Sequence, residues 1–315
     1  MKHTKFGNLS PEDAGVIFEL SQKIDIAAAE RLAKAVTDQK FYVETAQGEK
    51  RLLVVNTTEH YDWLEGDFRM CEYLAASGIN VMRPVGMGTF RDGTLAYQLY
   101  TWYDGEDLAE ALTHMSPAEQ FAAGKKTVEL LRKLHALSPF EEGETEPWGI
   151  HFGRRVQNAI MAYNENPVKS QGADLLVRYL QDNQDLLENR PQSFTHGDCN
   201  TGNLMYCADG QIGVIDLGWG NNCNDPWWDF REMTFPNILP TLFLTGQIKG
   251  YFEGEPPPEF FRVLAYYIAL VALESLRDPS RADYFEEVRI ALNTFEFDDM
   301  RNPVPNWYLS EIKAI

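Results

Sequence analysis

Little in this chain suits a membrane, a structural metal or nucleic acid. No apolar run approaches the roughly eighteen residues needed to span a bilayer. Met1 to Ser10 also lacks the apolar stretch of a secretory leader. Only four cysteines occur, Cys71, Cys199, Cys207 and Cys223, with no C-x-x-C and no paired spacing with histidine. That argues against a disulfide framework or zinc site and for free thiols in a reducing compartment, so a cytoplasmic protein is expected. Basic charge is scarce as well: 28 Lys and Arg stand against 47 Asp and Glu, a net charge of -19. Without a basic stripe to neutralise phosphates, a nucleic-acid partner is not expected. Neither an internal repeat nor a low-complexity segment is present.

The 315 residues are enough for about two domains and a sizeable core. The most informative stretch runs from Phe194 to Phe230. Leu204 to Cys207 and Ile212 to Ile215 are short apolar runs around Ala208-Asp209-Gly210-Gln211, and an Asp-Gly pair in that setting signals a hairpin. A two-residue turn pairs 207 with 212 and sets Asn203 opposite Asp216, where an amide oxygen and a carboxylate converge. Magnesium takes oxygen ligands, accepts one or two carboxylates, and completes its shell with water and phosphate. Asp198, five residues before Asn203 in a loop entered through His196-Gly197, is placed to accept a proton from an attacking hydroxyl. These residues together point to phosphoryl transfer.

The pattern H-G-D-x-x-x-x-N, Asn203 closing it, followed by Ile215-Asp216-Leu217-Gly218, resembles the Brenner motif of the aminoglycoside phosphotransferase family. That family belongs to the protein-kinase-like fold and includes choline, homoserine and fructosamine kinases. The resemblance implies Asp198 as catalytic base, Asn203 and Asp216 as Mg2+ ligands, and ATP or GTP as phosphoryl donor. It implies an α+β, two-lobed architecture: a small antiparallel sheet lobe over 1–103 and a larger, mainly helical lobe over 104–315.

The rest of the chain is read against that expectation. Ser10-Pro11 opens one helix, and alanine-rich Asp25 to Lys34 predicts a second. Strands follow at Lys40 to Thr45, Arg51 to Val55, Val81 to Val85 and Leu95 to Tyr100, with a helix over Trp63 to Ser77. Thr101 to Leu108 resembles the family's hinge, which implies that backbone groups at Thr101 and Tyr103 meet the purine. The resemblance also implies a Lys or Arg late in the strand Arg51 to Val55 to hold the nucleotide phosphates. That position falls on Val54, its partner acid falls on Asp67, and Lys50 is the basic residue on the same strand face. The segment Lys34 to Asp38 lacks the glycine or serine that lets backbone amides approach phosphate.

Beyond the hinge, Ser116-Pro117-Ala118-Glu119 has the form of a capping box before a long helix to Leu137. His135 reads as a packing or hydrogen-bonding residue. Helices are expected over Arg154 to Tyr163, Asp174 to Leu187 and Phe260 to Leu276. Asp225-Pro226-Trp227-Trp228-Asp229 resembles the family's D-P-x-x-D segment, whose acids brace the catalytic loop. Glu274 is the lone acid past the start of an apolar helix. A buried carboxylate is costly unless paired, so it is expected to face a polar cleft or to lie at the surface near the helix end, and it is the candidate acceptor contact. Phe295 to Asp299 interleaves rings with acids and suits a cationic sugar as well as it suits an exposed turn. The small-molecule acceptor is accordingly expected to be cationic, such as an aminoglycoside, with choline-, homoserine- or fructosamine-type acceptors open. Val54 motivates the competing reading of a kinase-fold pseudoenzyme that binds nucleotide or metabolite without transferring phosphate.

Overall fold

A computed structural model describes residues 5–6, 9–32, 38–138, 146–217, 223–234, 239–277, 285–295, 297 and 304–308. The chain separates into two compact units: residues 1–105 with 207–220, and residues 106–206 with 221–315. The segment Lys34 to Thr37, most of the Glu141 to Trp148 stretch, and Glu296, Asp298 and Asp299 lie outside the described residues.

The first unit is built on a six-stranded sheet. Its strands are β1 (Lys5–Phe6), β2 (Ala28–Arg31), β3 (Gln39–Glu44), β4 (Lys50–Thr57), β5 (Pro84–Phe90) and β6 (Leu95–Thr101). They lie in the order β1-β2-β3-β4-β6-β5, antiparallel except for β1 with β2. Helix α1 (Pro11–Leu20) starts where Ser10 accepts the Asp13 amide at 3.1 Å. It buries Val16, Ile17 and Leu20 against Phe41, Val43, Leu53 and Val55. Side chains alternate along a strand, so Leu52, Val54 and Tyr100 face the other way and meet Phe68 of α2 (Tyr61–Ala76). Gln98, buried on that face, ties the sheet to α2 by donating to the Leu64 carbonyl at 2.7 Å.

Two sequence expectations need correction here. The described part of the expected helix, Asp25 to Leu32, is not helical; Ala28 to Arg31 pair with Glu44 to Phe41. Backbone pairing with β3 and burial of Ala29 override alanine's helical preference, which is a weak local term. The Asp209-Gly210 turn is present, but its loop holds three residues. Gly210, with φ 75°, donates to the Cys207 carbonyl at 2.8 Å, and Cys207 donates to that of Gln211 at 2.9 Å. A left-handed glycine closes a three-residue loop as readily as it serves a two-residue turn. Cys207 therefore faces Gln211 instead of Ile212, and the count that set Asn203 opposite Asp216 does not follow.

Strand β7 (Gly105–Asp107) carries the chain from the first unit into the second, which continues with α3 (Leu108–His114) and is otherwise mainly helical. Helix α4 (Pro117–His135) opens with the expected capping box, Ser116 and Glu119 exchanging hydrogen bonds. Then come α5 (Trp148–Glu165), α6 (Ala173–Asp182), β8 (Ser193–Phe194), β9 (Leu204–Cys207) and, in the first unit, β10 (Ile212–Val214). The second unit resumes with β11 (Cys223–Asn224), α7 (Thr241–Phe252), α8 (Pro258–Ser275) and α9 (Glu286–Thr294). Helix α8 is buried along nearly its whole length and forms the axis of this unit.

Helices α4 and α7 meet backbone to backbone. A Cβ at Gly124 would lie 2.1 Å from the Phe243 carbonyl oxygen, and one at Gly246 would lie 2.2 Å from that of Phe121. Only glycine fits at either position.

Candidate active site

Strand β8 carries the chain into the loop that holds the motif. It pairs with β11, Phe194 with Cys223 and Ser193 with Asn224, and Asn224 donates its side-chain amide to the Thr195 hydroxyl at 2.7 Å. Gly197 then turns with φ 80°, a conformation costly for any side chain bearing Cβ. The turn is held from below by Asp229, whose carboxylate accepts the backbone amides of His196 and Gly197, each at 2.8 Å. His135 Nε2 lies 3.0 Å from the same carboxylate, and His135 Nδ1 lies 2.8 Å from the Tyr251 hydroxyl. His135 is thus a hydrogen-bonding part of the brace.

Burial by itself would raise the pKa of Asp229, but the hydrogen bond and charge of His135, with those of His196, more than offset it and hold it below the carboxylate's ordinary 3.8. A folded-state value below the unfolded one contributes stability that is complete above the ordinary value and disappears as pH falls through the lowered one. The gap in urea midpoint between the wild type and Asp229→Asn is therefore expected to be widest above pH 4 and to narrow on acidification towards pH 2.

Asp198 sits at the tip of this loop. Its carboxylate accepts Asn203 Nδ2 at 3.0 Å, Asn200 Nδ2 at 3.2 Å and Arg231 Nη2 at 3.2 Å. It is nevertheless 59% exposed, whereas the Arg231 side chain is only 9% exposed. The guanidinium carbon of Arg231 lies 4.2 Å from the Trp228 ring centroid, and Nη1 donates to the Trp228 carbonyl at 3.3 Å. A carboxylate fixed by three donors and open to solvent can accept a proton from an incoming hydroxyl.

Asn203, ending the 3-10 turn Thr201–Asn203, spends its side-chain N–H groups on Asp198, both its carboxylate and its carbonyl. Its Oδ1 receives no hydrogen bond among the described residues. Asp216, at φ 57° just past β10, is exposed, and its carboxylate likewise has no hydrogen-bonding or ionic partner among the described residues. An oxygen of this kind, taken residue by residue, is what a hard cation accepts as a ligand.

The other sequence candidates have partners. Lys50 donates to Asp104 at 2.8 Å and lies four positions before Val54 on the strand, about 13 Å of extended chain. Thr101 accepts the Arg83 amide on its hydroxyl at 2.9 Å. Tyr103 presses its ring on β10: a Cβ at Gly213 would meet it at 2.7 Å. Tyr100, the last residue of the expected strand Leu95 to Tyr100, is buried beside Phe68, ring centroids 5.7 Å apart. Glu274 is 17% exposed and takes a two-pronged ion pair from Arg155, at 2.9 and 2.7 Å. Arg155 also lies over the Trp228 ring, at 5.0 Å.

Asp225 is fully buried and shares its carboxylate among Arg190, at 2.6 and 3.0 Å, the Tyr267 hydroxyl at 2.6 Å and the Trp227 amide at 3.0 Å. It fixes the start of the segment, while Asp229 fixes the loop. Sequence reasoning missed Arg231 and its contact with Asp198. The available signal was an arginine two residues past Asp229, in an otherwise aromatic run.

Comparison with known proteins places these observations in context. Residues 28–261 match the model of the phosphotransferase enzyme family. Among solved structures, the gentamicin complex of APH(2'')-IIa superposes with a TM-score of 0.62 at 16% identity, covering 91% of this chain and 97% of that one. The amicoumacin kinase hAmiN, bound to AMP-PNP, Ca2+ and amicoumacin, gives 0.59 at 15%, covering 96% and 100%. A choline/ethanolamine kinase family protein from Mesorhizobium loti gives 0.59 at 15%, covering 91% and 92%. Identities this low carry the fold and nothing of the substrate. No curated protein sequence matches the chain significantly. Among the described residues no helix is long and apolar enough to cross a membrane.

Proposed function

Because the chain belongs to the phosphotransferase enzyme family, with its kinase-like α+β fold, we propose that it transfers the γ-phosphoryl group of ATP or GTP to a hydroxyl of a small molecule. The observation that carries this reading is the state of Asp198: exposed, held by Asn203, Asn200 and Arg231, on a loop whose amides are locked by a buried carboxylate. In this reading Asp198 orients the acceptor hydroxyl and takes its proton as the bond to phosphorus forms. Fixing that geometry in advance supplies most of the rate in such transfers.

Asn203 and Asp216 are the residues we assign to Mg2+, since both present oxygen atoms that receive no hydrogen bond among the described residues. Bound there, the ion would neutralise charge on the triphosphate. The backbone at Thr101 and Tyr103 is assigned to the purine. The acceptor we favour is cationic. The excess of acid over base supports that preference, because field focused by carboxylates draws cations to a cleft. Glu274 enters as the acceptor-side carboxylate, exchanging Arg155 for a substrate ammonium group. A cytoplasmic location is part of the same reading.

The test is thermal unfolding with and without magnesium and each nucleotide, beside Asp216→Ala. Ligand at a hundred times its dissociation constant stabilises the folded state by about 2.7 kcal/mol, so a clear rise in midpoint is expected, dependent on magnesium and lost in the variant. A wild-type midpoint that neither nucleotide moves would sink the reading and favour the pseudoenzyme. If binding is seen, a panel of aminoglycosides, choline, homoserine and fructosamine then identifies the acceptor.

A further inference from the structure

Val54 leaves the first unit without a cation at the position where the family's phosphate-holding Lys or Arg is expected, and the sheet register supplies a replacement. In the pairing of β3 with β4, Lys40 stands directly opposite Val54. The rung continues from Val54 to Gln98 on β6 and from Gln98 to Met87 on β5. Phe41 and Val43 turn to the core under α1, so Lys40 faces the opposite side of the sheet, the side of Val54, Leu52 and Tyr100. Directly opposed residues of an antiparallel pair have Cβ atoms about 5 Å apart, within the length of a lysine side chain. The Lys40 ammonium can therefore stand over Val54.

The state of the side chain supports the same assignment. Lys40 is half-buried, and its ammonium has neither a hydrogen bond nor an ion pair among the described residues. Lys50, the other lysine on this face, is taken by Asp104 and lies too far along the strand. Next to the rung the packed side chains are apolar, and Asp67 is the acid whose charge acts on Cys71 and Tyr100 there. Val54 packs with Leu52, Phe68 and Tyr100, and Cys71 is pushed up to about 12 by burial and then by the charge of Asp67, so its thiol stays protonated. A lone ammonium beside a dry apolar wall is a strong attractor for phosphate oxygens, because charge-assisted bonds gain strength where water is displaced.

We propose that Lys40 is the nucleotide phosphate anchor of this protein, transferred across one rung of the sheet from the strand that carries Val54. The proposal rests on the phosphotransferase reading but is tested apart from it. Calorimetry on the full chain measures binding of Mg·ATP and Mg·GTP, with adenosine and guanosine as probes that lack phosphate. Lys40→Met is expected to weaken the triphosphate bound by the wild type roughly ten- to a hundred-fold, the range for a hydrogen bond to a charged group, and to leave the nucleoside unchanged. The exchange Lys40→Val with Val54→Lys, which moves the charge back across the rung, should recover most of the loss.

Unchanged triphosphate affinity in Lys40→Met overturns the proposal and leaves the kinase reading standing. An exchange variant as weak as Lys40→Met overturns it too. A wild-type chain that binds neither triphosphate ends both. Lys40→Gln serves where the methionine variant does not fold.

Discussion

Asp198→Asn is expected to reduce phosphoryl transfer by about two to four orders of magnitude while nucleotide binding and folding persist. The amide keeps the shape of the carboxylate and one oxygen to accept from its neighbours, but it cannot take a proton from the acceptor. Binding should survive because Asn203 and Asp216, the residues assigned to the metal, are untouched. The stability cost should be small because the Asp198 side chain is mostly exposed and the amide oxygen of the variant still accepts from the nearly buried Arg231 guanidinium. Steady-state kinetics on the first acceptor that the wild type phosphorylates, beside the thermal shift with magnesium and nucleotide, separates these effects. Turnover within tenfold of wild type would remove Asp198 from the chemistry. Loss of the thermal shift together with turnover would mean that the substitution had disturbed the loop.

The largest expected effect on stability belongs to Asp225→Ala. Its carboxylate is fully buried and accepts from Arg190, Tyr267 and Trp227. Removing it strands the Arg190 guanidinium, itself nearly buried with its carbon 3.8 Å from the Trp227 ring centroid. Breaking a buried pair from one side typically costs about 3–5 kcal/mol, because the remaining charge is uncompensated. The Tyr267 hydroxyl, whose pKa burial and then Asp225 push well up, also loses its acceptor but still receives the Trp148 indole N–H at 2.8 Å. Urea denaturation should show a midpoint drop of that size, and a double variant with Arg190→Met should recover part of it. Equal stability in wild type and Asp225→Ala would contradict the pairing.

The chemistry of this chain is legible because it is local. Asp198 and Asn203 lie five residues apart, and Asp216 follows across one turn, so their types and spacing stand in the sequence. The capping box at Ser116 and the helix under α8 are local for the same reason. What escaped depends on partners distant in sequence. Ala28 to Arg31 became a strand because β3 pairs with it, which no window around Ala28 contains. His135 and Asp229, 94 residues apart, meet only in the folded unit. The rung joining Lys40 to Val54 depends on the count in the loop that follows Glu44. There Gly48 donates to the Thr45 carbonyl at 3.0 Å, and Thr45 donates to that of Glu49 at 2.9 Å, so the loop holds three residues. A one-residue error in such a loop reassigns every facing side chain, as happened at Cys207.

The glycine seam between α4 and α7 has a consequence for anyone reshaping the acceptor preference by directed evolution. Helix α4 runs from Gly124 to His135, about 16 Å at the helical rise, and α7 delivers Tyr251 five residues after Gly246. Both end residues converge on the Asp229 brace beneath the loop of Asp198. Where two backbones touch there is no side chain to trim or enlarge, so a library directed at the seam has no gradual steps to climb. Diversity is better invested in loops and in the exposed side of the second unit, with Gly124 and Gly246 held out of the mutated set.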